Sequence, residues 1–351
     1  MLIAKLLATA AAVLSAVVSA HPELSKREMA EYREQVARDT EALGRCLESR
    51  EMQETNVRML EERATALHHL RKARGVDARS ENHQDRRDLA ALVKWNNLTH
   101  EQANWHSKDP QDLFNFRWTE EPRRFPAGCI LTPESVYGPF FSEGHLERQY
   151  ISAGQQGVDL RLALQVIDIA TCKPVENTRV DIWHTNAMGQ YSTTNTSYLR
   201  GWQPTSKWGT VDFDTKFPGH YYNRATHIHV AVRKSLTEQR RIHTGQLFFD
   251  NWVRGHVQNT EYYRNNKWPF IKNVDDYWAQ AAASDKYDPF VKWTWVDWPR
   301  VSSMKPTRLS VKLVMLINID GVLAWIAMGV NLTANVPQHD KRSFLDDHLE
   351  Y

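Results

Sequence analysis

RVDIWHTNAMGQYS (179–192) and GWQPTSKWGTVDFDTKFPGHYYNRATHIHVAV (201–232) decide how this chain folds. The second ends in THIHVAV, which has the β-branched, apolar content of a strand. Successive strand side chains point to opposite faces, so His227 and His229 share one face and Ile228 takes the other. A His-x-His pair on a rigid element is a reasonable metal clamp. Tyr221 and Tyr222 follow a Pro218-Gly219 turn signal just upstream, and Tyr191 ends the first stretch. A phenol, with a pKa of about 10, ligates well only if the ion strongly stabilises its anion, as hard Fe(III) does. Zinc more usually recruits a third His, a Cys or a carboxylate. The bland alternative is two ordinary strand histidines beside packing tyrosines.

Working outward, LRLALQVIDI (160–169), RVDIWH (179–184), TVDFDT (210–215), THIHVAV (226–232), GQLFF (245–249) and LSVKLVMLI (309–317) read as short strands. Turn signals such as Lys173-Pro174 separate them. Short alternating strands between turns predict a mainly-β chain, with a β-sandwich core and an N-terminal helical segment. Residues 22–74 read as two helices. Ser25 and Glu28 form a capping-box signature, Met29, Tyr32, Val36 and Leu43 make one apolar stripe, and Val57, Leu60, Ala64 and Leu67 make another. Gly75 is a natural stop. Residues 76–115 are polar and irregular, so His83, His100 and His106 are expected as exposed loop histidines. Residues 251–305 gather Tyr262, Tyr263, Trp268, Trp278, Trp293, Trp295 and Trp298, and are expected as a lid or rim on the sandwich, the alternative being a surface that binds sugar or aryl rings.

Met1–Ala20 reads as a secretory signal, with Lys5, an apolar run and a small-residue end at Val18-Ser19-Ala20. It implies a mature chain starting at His21 in an extracellular, disulfide-permissive setting. The domain reading is a signal at 1–20, a helical segment and connector at 21–115, the sandwich at 116–335 and a surface tail at 336–351. The formal charge of +2 gives no argument for nucleic acid or an anionic membrane as partner. Cys46, Cys129 and Cys172 leave one thiol over or pair it between chains, and sequence assigns no pairing. Asn97, Asn195 and Asn331 are glycan sequons. No dinucleotide, phosphate-loop, zinc-protease, serine-hydrolase or EF-hand motif occurs.

Four stretches taken together resemble the intradiol ring-cleavage dioxygenases, most closely their secreted fungal branch. They are CILTPESVYGPFF (129–141), TCKPVENTRVDIWHTNAMGQYS (171–192), LRGWQPTSKWGTVDFDTKFPGHYYNRATHIHVAV (199–232) and HTGQLFFD (243–250), with a weaker return at GVLAWIAMGVN (321–331). The resemblance implies non-haem Fe(III) held by Tyr191, Tyr221, His227 and His229, with Tyr221 the labile ligand. It implies a catechol-type substrate whose ring is opened by O2 between the hydroxyl-bearing carbons to a muconate-type dicarboxylate. Arg224 matches the arginine placed over the substrate ring; its bland reading is a surface ion pair. Gln246 matches a polar residue near the oxygen-reaction site. Trp183 and His184 are expected to support the ligands rather than join them, and Tyr137 and Phe140 to wall the pocket. The N-terminal helices imply either a homodimer contact or a solvated cap. Thr185 stands where secreted relatives often carry Cys, which puts one family disulfide in doubt. The second class of reading is a secreted sandwich that binds phenolic or carbohydrate material without catalysis. A third, an Fe(II) enzyme with two His and one carboxylate, lacks a carboxylate of comparable pattern support.

Overall fold

The structure, a computed structural model, describes residues 26–47, 49–75, 100, 140–192, 196–238, 240–283, 288–296, 300–303 and 315–334. Within them lie α1 (Lys26–Leu47), α2 (Arg50–Ala73), β1 (Asp159–Asp168), β2 (Arg179–Trp183), β3 (Arg200–Pro204), β4 (Thr210–Lys216), β5 (His227–Arg233) and β6 (Arg241–Phe248). Then come α3 (Asn251–Gln258), α4 (Tyr277–Ala282), β7 (Lys292–Trp295), β8 (Arg300–Ser303), β9 (Met315–Asn318) and β10 (Val322–Val330). The expectations for the signal segment, Ser25, His83, Asn97, His106, Cys129, Tyr137, Asn195, Trp298 and the tail lie outside the described residues.

Two four-stranded sheets form the expected sandwich: β4-β1-β10-β7 and β3-β2-β5-β6. β1 and β10 run parallel, in register from Leu160↔Val322 to Asp168↔Val330, while every other pairing is antiparallel. The inner faces meet in one core. Leu160, Leu162, Leu164 and Val166 of β1 join Val180 and Ile182 of β2 and Ile228, Val230 and Val232 of β5. His243, opposite Val232, enters the same core, and burial lowers its pKa to about 4.

The outer face of the first sheet is covered by α2. Leu67 packs with Ala163, Leu323 and Trp325, and Arg71 donates from Nε to the Val296 carbonyl at 2.9 Å. The helical segment is therefore a cap on its own sheet. Its buried stripe runs Met52, Thr55, Met59, Arg63 and Leu67, whereas Ala64 of the expected stripe is only half-buried. Ser49 caps α2 by accepting from Met52 N, and Gly75 ends it at φ 64°. A disulfide, Cys46–Cys172, ties α1 to the turn after β1. No helix among the described residues is long and apolar enough to cross a membrane.

Several elements escaped the pattern reading, α4 and β8 among them. β3 carries Gly201 and Pro204, which read as loop, and sits at a sheet edge where Pro is tolerated. β7 has four residues inside an aromatic run. β10 is buried on both faces, so it reads as continuous apolar sequence without alternation. α3 has eight residues, too few for a convincing helical stripe. The aromatic segment also divides: Tyr263, Trp278, Trp293 and Trp295 are core, whereas Tyr262 and Trp268 are exposed.

Replacing Cys46 and Cys172 by Ala should lower unfolding free energy by about 2–5 kcal/mol, measured by urea unfolding of oxidised wild type against the double variant. Above pH 6.5 the buried neutral His184 and His243 cost nothing extra, since the unfolded imidazole is then also neutral. As pH falls from about 6.5 towards 4 the unfolded state takes up protons that these two folded histidines refuse, so stability should fall by a few kcal/mol. His243→Leu should flatten that slope, read from urea unfolding at pH 7 and pH 4.5.

Candidate metal centre

His227, His229, Ala231 and Arg233 occupy the outer face of the second sheet, because Ile228, Val230 and Val232 take the inner one. His227 donates from Nδ1 to the Ala225 carbonyl at 2.7 Å. That bond leaves a lone pair on His227 Nε2, which faces His229 Nε2 at 3.2 Å. Trp183, across from His229 on β2, stacks on its ring at 4.8 Å and 3°. His229 is held well below the ordinary imidazole range by burial and by neighbouring His227, so it is a neutral donor.

Two loops bring the tyrosines in. Asn186 Oδ1 accepts from Met188 N and Gln190 N, turning the chain tightly after β2. Gly189, at φ 76°, lets that loop press on the 218–220 backbone: a Cβ there would lie 2.2 Å from His220 O. Gly219 returns the fit, since its Cβ would meet Ala187 O at 2.4 Å. Tyr191 and Tyr221 consequently sit edge to face, their centroids 5.4 Å apart. Tyr221 lies 5.6 Å from His227, His227 4.8 Å from His229, and His229 6.1 Å from Tyr191, which closes the circuit. All four expected ligands are brought together.

The chain turns at Tyr221-Tyr222. Arg224 N donates to Tyr221 O at 3.1 Å across a four-residue turn, with Asn223 left-handed at φ 56°. The turn sends the two rings apart: Tyr221 is buried, while Tyr222 is half-exposed against Trp268.

Arg224 is not a surface residue. It is buried, donating from Nε to Asp276 at 2.9 Å, from Nη2 to Gln246 Oε1, and from Nη1 to Tyr221 Oη at 3.4 Å. Burial opposes its charge, but Asp276 and then Tyr221 outweigh that, so its pKa is raised. Asp276 was missed by sequence reasoning. It also accepts from Ala225 N and caps α4 through Trp278 N and Ala279 N. An Asp before a short helix was the available signal, but nothing local ties it to a residue 52 positions earlier.

His184 is a supporting residue as expected. Nδ1 meets Thr185 O and Nε2 meets Thr215 Oγ1, each at 2.8 Å, so neither nitrogen is available to a metal. Phe140 stacks on Tyr191 at 4.4 Å and does wall the site. His100, read as an exposed loop residue, is fully buried between Asp250 and Asp288. Burial disfavours its charge, yet the two carboxylates prevail and raise its pKa.

The donor set fits a hard cation. Tyr191 Oη is buried without a hydrogen bond of ordinary geometry, an orphan that a metal would satisfy. Burial raises the pKa of both phenols, so an anion there needs strong compensation. Among the described residues no group of three or more His, Cys, Asp or Glu is placed to hold a metal. This quartet has only two members of that class; its other donors are phenols.

No family model matches the chain, and no curated protein matches it. Among solved structures the chain is similar to an intradiol ring-cleavage dioxygenase from Tetranychus urticae. The identity is 27%, over 59% of this chain and 97% of that one, with a TM-score of 0.45. It is also similar to the dioxygenase domain of a dioxygenase carbohydrate-binding protein fusion from Streptomyces sp. SirexAA-E, at 22% identity, 57% and 98% coverage and a TM-score of 0.37. For catechol 1,2-dioxygenase from Pseudomonas arvilla C-1 the identity is 18%, the coverage 59% and 62%, and the TM-score 0.34.

Asp276→Asn keeps the shape of the cap but leaves Arg224 without a carboxylate. Breaking a buried pair in this way should cost about 3–5 kcal/mol in chemical unfolding.

Proposed function

We propose that this chain is an intradiol ring-cleavage dioxygenase that opens catechol-type rings with O2 to muconate-type dicarboxylates. The observation that carries the reading is the convergence of Tyr191, Tyr221, His227 and His229, with two imidazole Nε2 atoms turned on each other and a buried phenol without a hydrogen bond of ordinary geometry. The same four residues hold Fe(III) in this reading. Bound there, the ion would supply Lewis-acid chemistry toward a catechol-type substrate.

The protein residues do the rest. Tyr221 is the proton acceptor: burial raises its pKa, which makes its phenolate a strong base, and Arg224 Nη1, 3.4 Å from its Oη, lessens that rise. Arg224, fixed by Asp276 and Gln246, holds a permanent cation beside the ligand set. Such a charge stabilises negative charge that develops on the attacked ring. Gln246 stands opposite His229 on β6, which places it beside the ligands. Phe140 and Trp183 exclude water from the donor rings by stacking on Tyr191 and His229. A sandwich that only binds phenolic or carbohydrate material has no use for a buried phenol without a hydrogen bond of ordinary geometry.

The disulfide supports the further proposal that the protein is exported, since such bonds persist in oxidising compartments. The partly exposed Asn331 belongs to one of the sequons and would carry a glycan in that setting. The secreted fungal branch, carried by the sequence stretches alone, is part of the same proposal.

Oxygen uptake by iron-loaded protein over a panel of catechols, with identification of the product, tests the activity. A ring opened next to, rather than between, the hydroxyl-bearing carbons would overturn it. Tyr221→Phe should weaken or blue-shift the visible phenolate-to-iron band, whereas Tyr222→Phe should leave it almost unchanged, each compared at measured iron content. Arg224→Ala should retain iron and lose roughly two to three decades in turnover.

A further inference from the structure

Asn266 lies in the aromatic segment after α3, and its side-chain amide reaches both loops that deliver the phenols. Nδ2 donates to the His220 carbonyl at 2.8 Å and to the Ala187 carbonyl at 3.3 Å. A side-chain amide carries two N–H donors on one nitrogen, so a single residue can serve two converging carbonyls. Oδ1 accepts from Trp268 N at 3.0 Å, which turns both N–H bonds towards the loops. Ala187 and His220 are buried, and an acceptor that loses its donor away from water is costly.

These two oxygens are also where the loops press on each other. The Cβ that Gly189 lacks would meet His220 O, and the Cβ that Gly219 lacks would meet Ala187 O. The loops touch directly as well: Gly219 N donates to Asn186 O at 3.0 Å, and Thr185 Oγ1 to Gly219 O at 2.7 Å. Asn266 adds a tie from a third segment, and that segment is seated on the core. Asn266 N donates to Tyr263 O at 3.0 Å, and the buried Tyr263 donates from Oη to Phe217 O at 2.5 Å. His220 returns a bond from Nε2 to Trp268 O at 2.9 Å. Residues 263–268 thus grip 217–220, directly before Tyr221, and the 186–190 turn that leads to Tyr191.

We infer that Asn266 is the positioning residue that locks the Tyr191 loop to the Tyr221 loop and so sets the spacing of the two phenols. The lock stands on the hydrogen bonds alone; its effect on iron rests on the reading of the site given above. Asn266 works through the two backbones.

Asn266→Asp keeps the size and the acceptor for Trp268 N, but puts an oxygen where the shared donor was. In full-length protein without metal, hydrogen exchange read by mass spectrometry should then be faster in residues 186–191 and in 218–221, while 263–268 change less. Exchange unchanged in either loop, or faster exchange confined to 263–268, would overturn the lock. Loaded with Fe(III), the variant should hold the ion about tenfold more weakly in competition with a chelator, a loss typical of residues that orient ligands. Its phenolate-to-iron band should weaken at equal iron content. Affinity and band both equal to wild type would overturn the positioning role. Asn266→Ala removes the donors without adding a charge and should give the same results. It decides alone if the Asp variant does not fold, as judged by far-ultraviolet circular dichroism. Wild-type protein that takes up no iron would overturn the iron reading instead, and the exchange comparison then decides the lock by itself.

Discussion

The outer face of the second sheet is crowded with charge and yet buried, and every other feature of the site follows from how that desolvation is met. Asp181 lies at the centre, held by Arg179 and Arg233 and approached by His145. Glu143 reaches in from the segment above and receives both Arg233 and Arg241. These ion pairs fasten residues 140–145 over the sheet, with Phe141 packed against Trp183 and Ala231. A buried pair contributes little net stability compared with apolar packing of the same shape, but losing one partner is expensive. The network therefore specifies where the covering segment sits. That placement puts Phe140 on Tyr191 and keeps bulk water from the imidazoles.

The two faces of the sandwich divide the labour. On the first sheet a helix supplies the outer layer by ordinary apolar contact, aided by Arg63, whose guanidinium lies 5.6 Å above the Trp325 ring. On the second sheet the covering layer is loop and strap, joined by polar bonds. A helix would have presented a smooth apolar stripe there and left no polar volume for ligand atoms. The loop cover can bring in phenols, a guanidinium and an amide from separate stretches.

What could be read in the sequence was the part governed by local rules. Period two was enough to put His227 and His229 together, and the Pro218-Gly219 signal marked the turn region. The selection of Tyr221 over Tyr222 came from resemblance; the two rings part at a turn with a left-handed Asn223, which no local pattern marks. Asp276 was illegible because its role depends on a contact across the fold. His100 misled for the same reason: a polar neighbourhood in sequence says nothing of two carboxylates waiting 150 and 188 positions downstream. β10 was hidden by its double burial, which removes the alternation that identifies a half-exposed strand.

The parallel pairing of β1 with β10 has a consequence for how the chain comes off the ribosome. All strands of the second sheet, together with Tyr191, Tyr221, both histidines and Gln246, fall within residues 179–248, so that half can be assembled from one contiguous length. The first sheet cannot close until residues 322–330 have been made. Until then β1 has only β4 beside it, and one long apolar edge stands open. Contacts so distant in sequence slow folding and leave unpaired edges exposed in the meantime. The nascent protein thus has the half that carries Tyr191, Tyr221, His227 and His229 well before it has a closed core, and during that interval it depends on whatever shields the edge of β1.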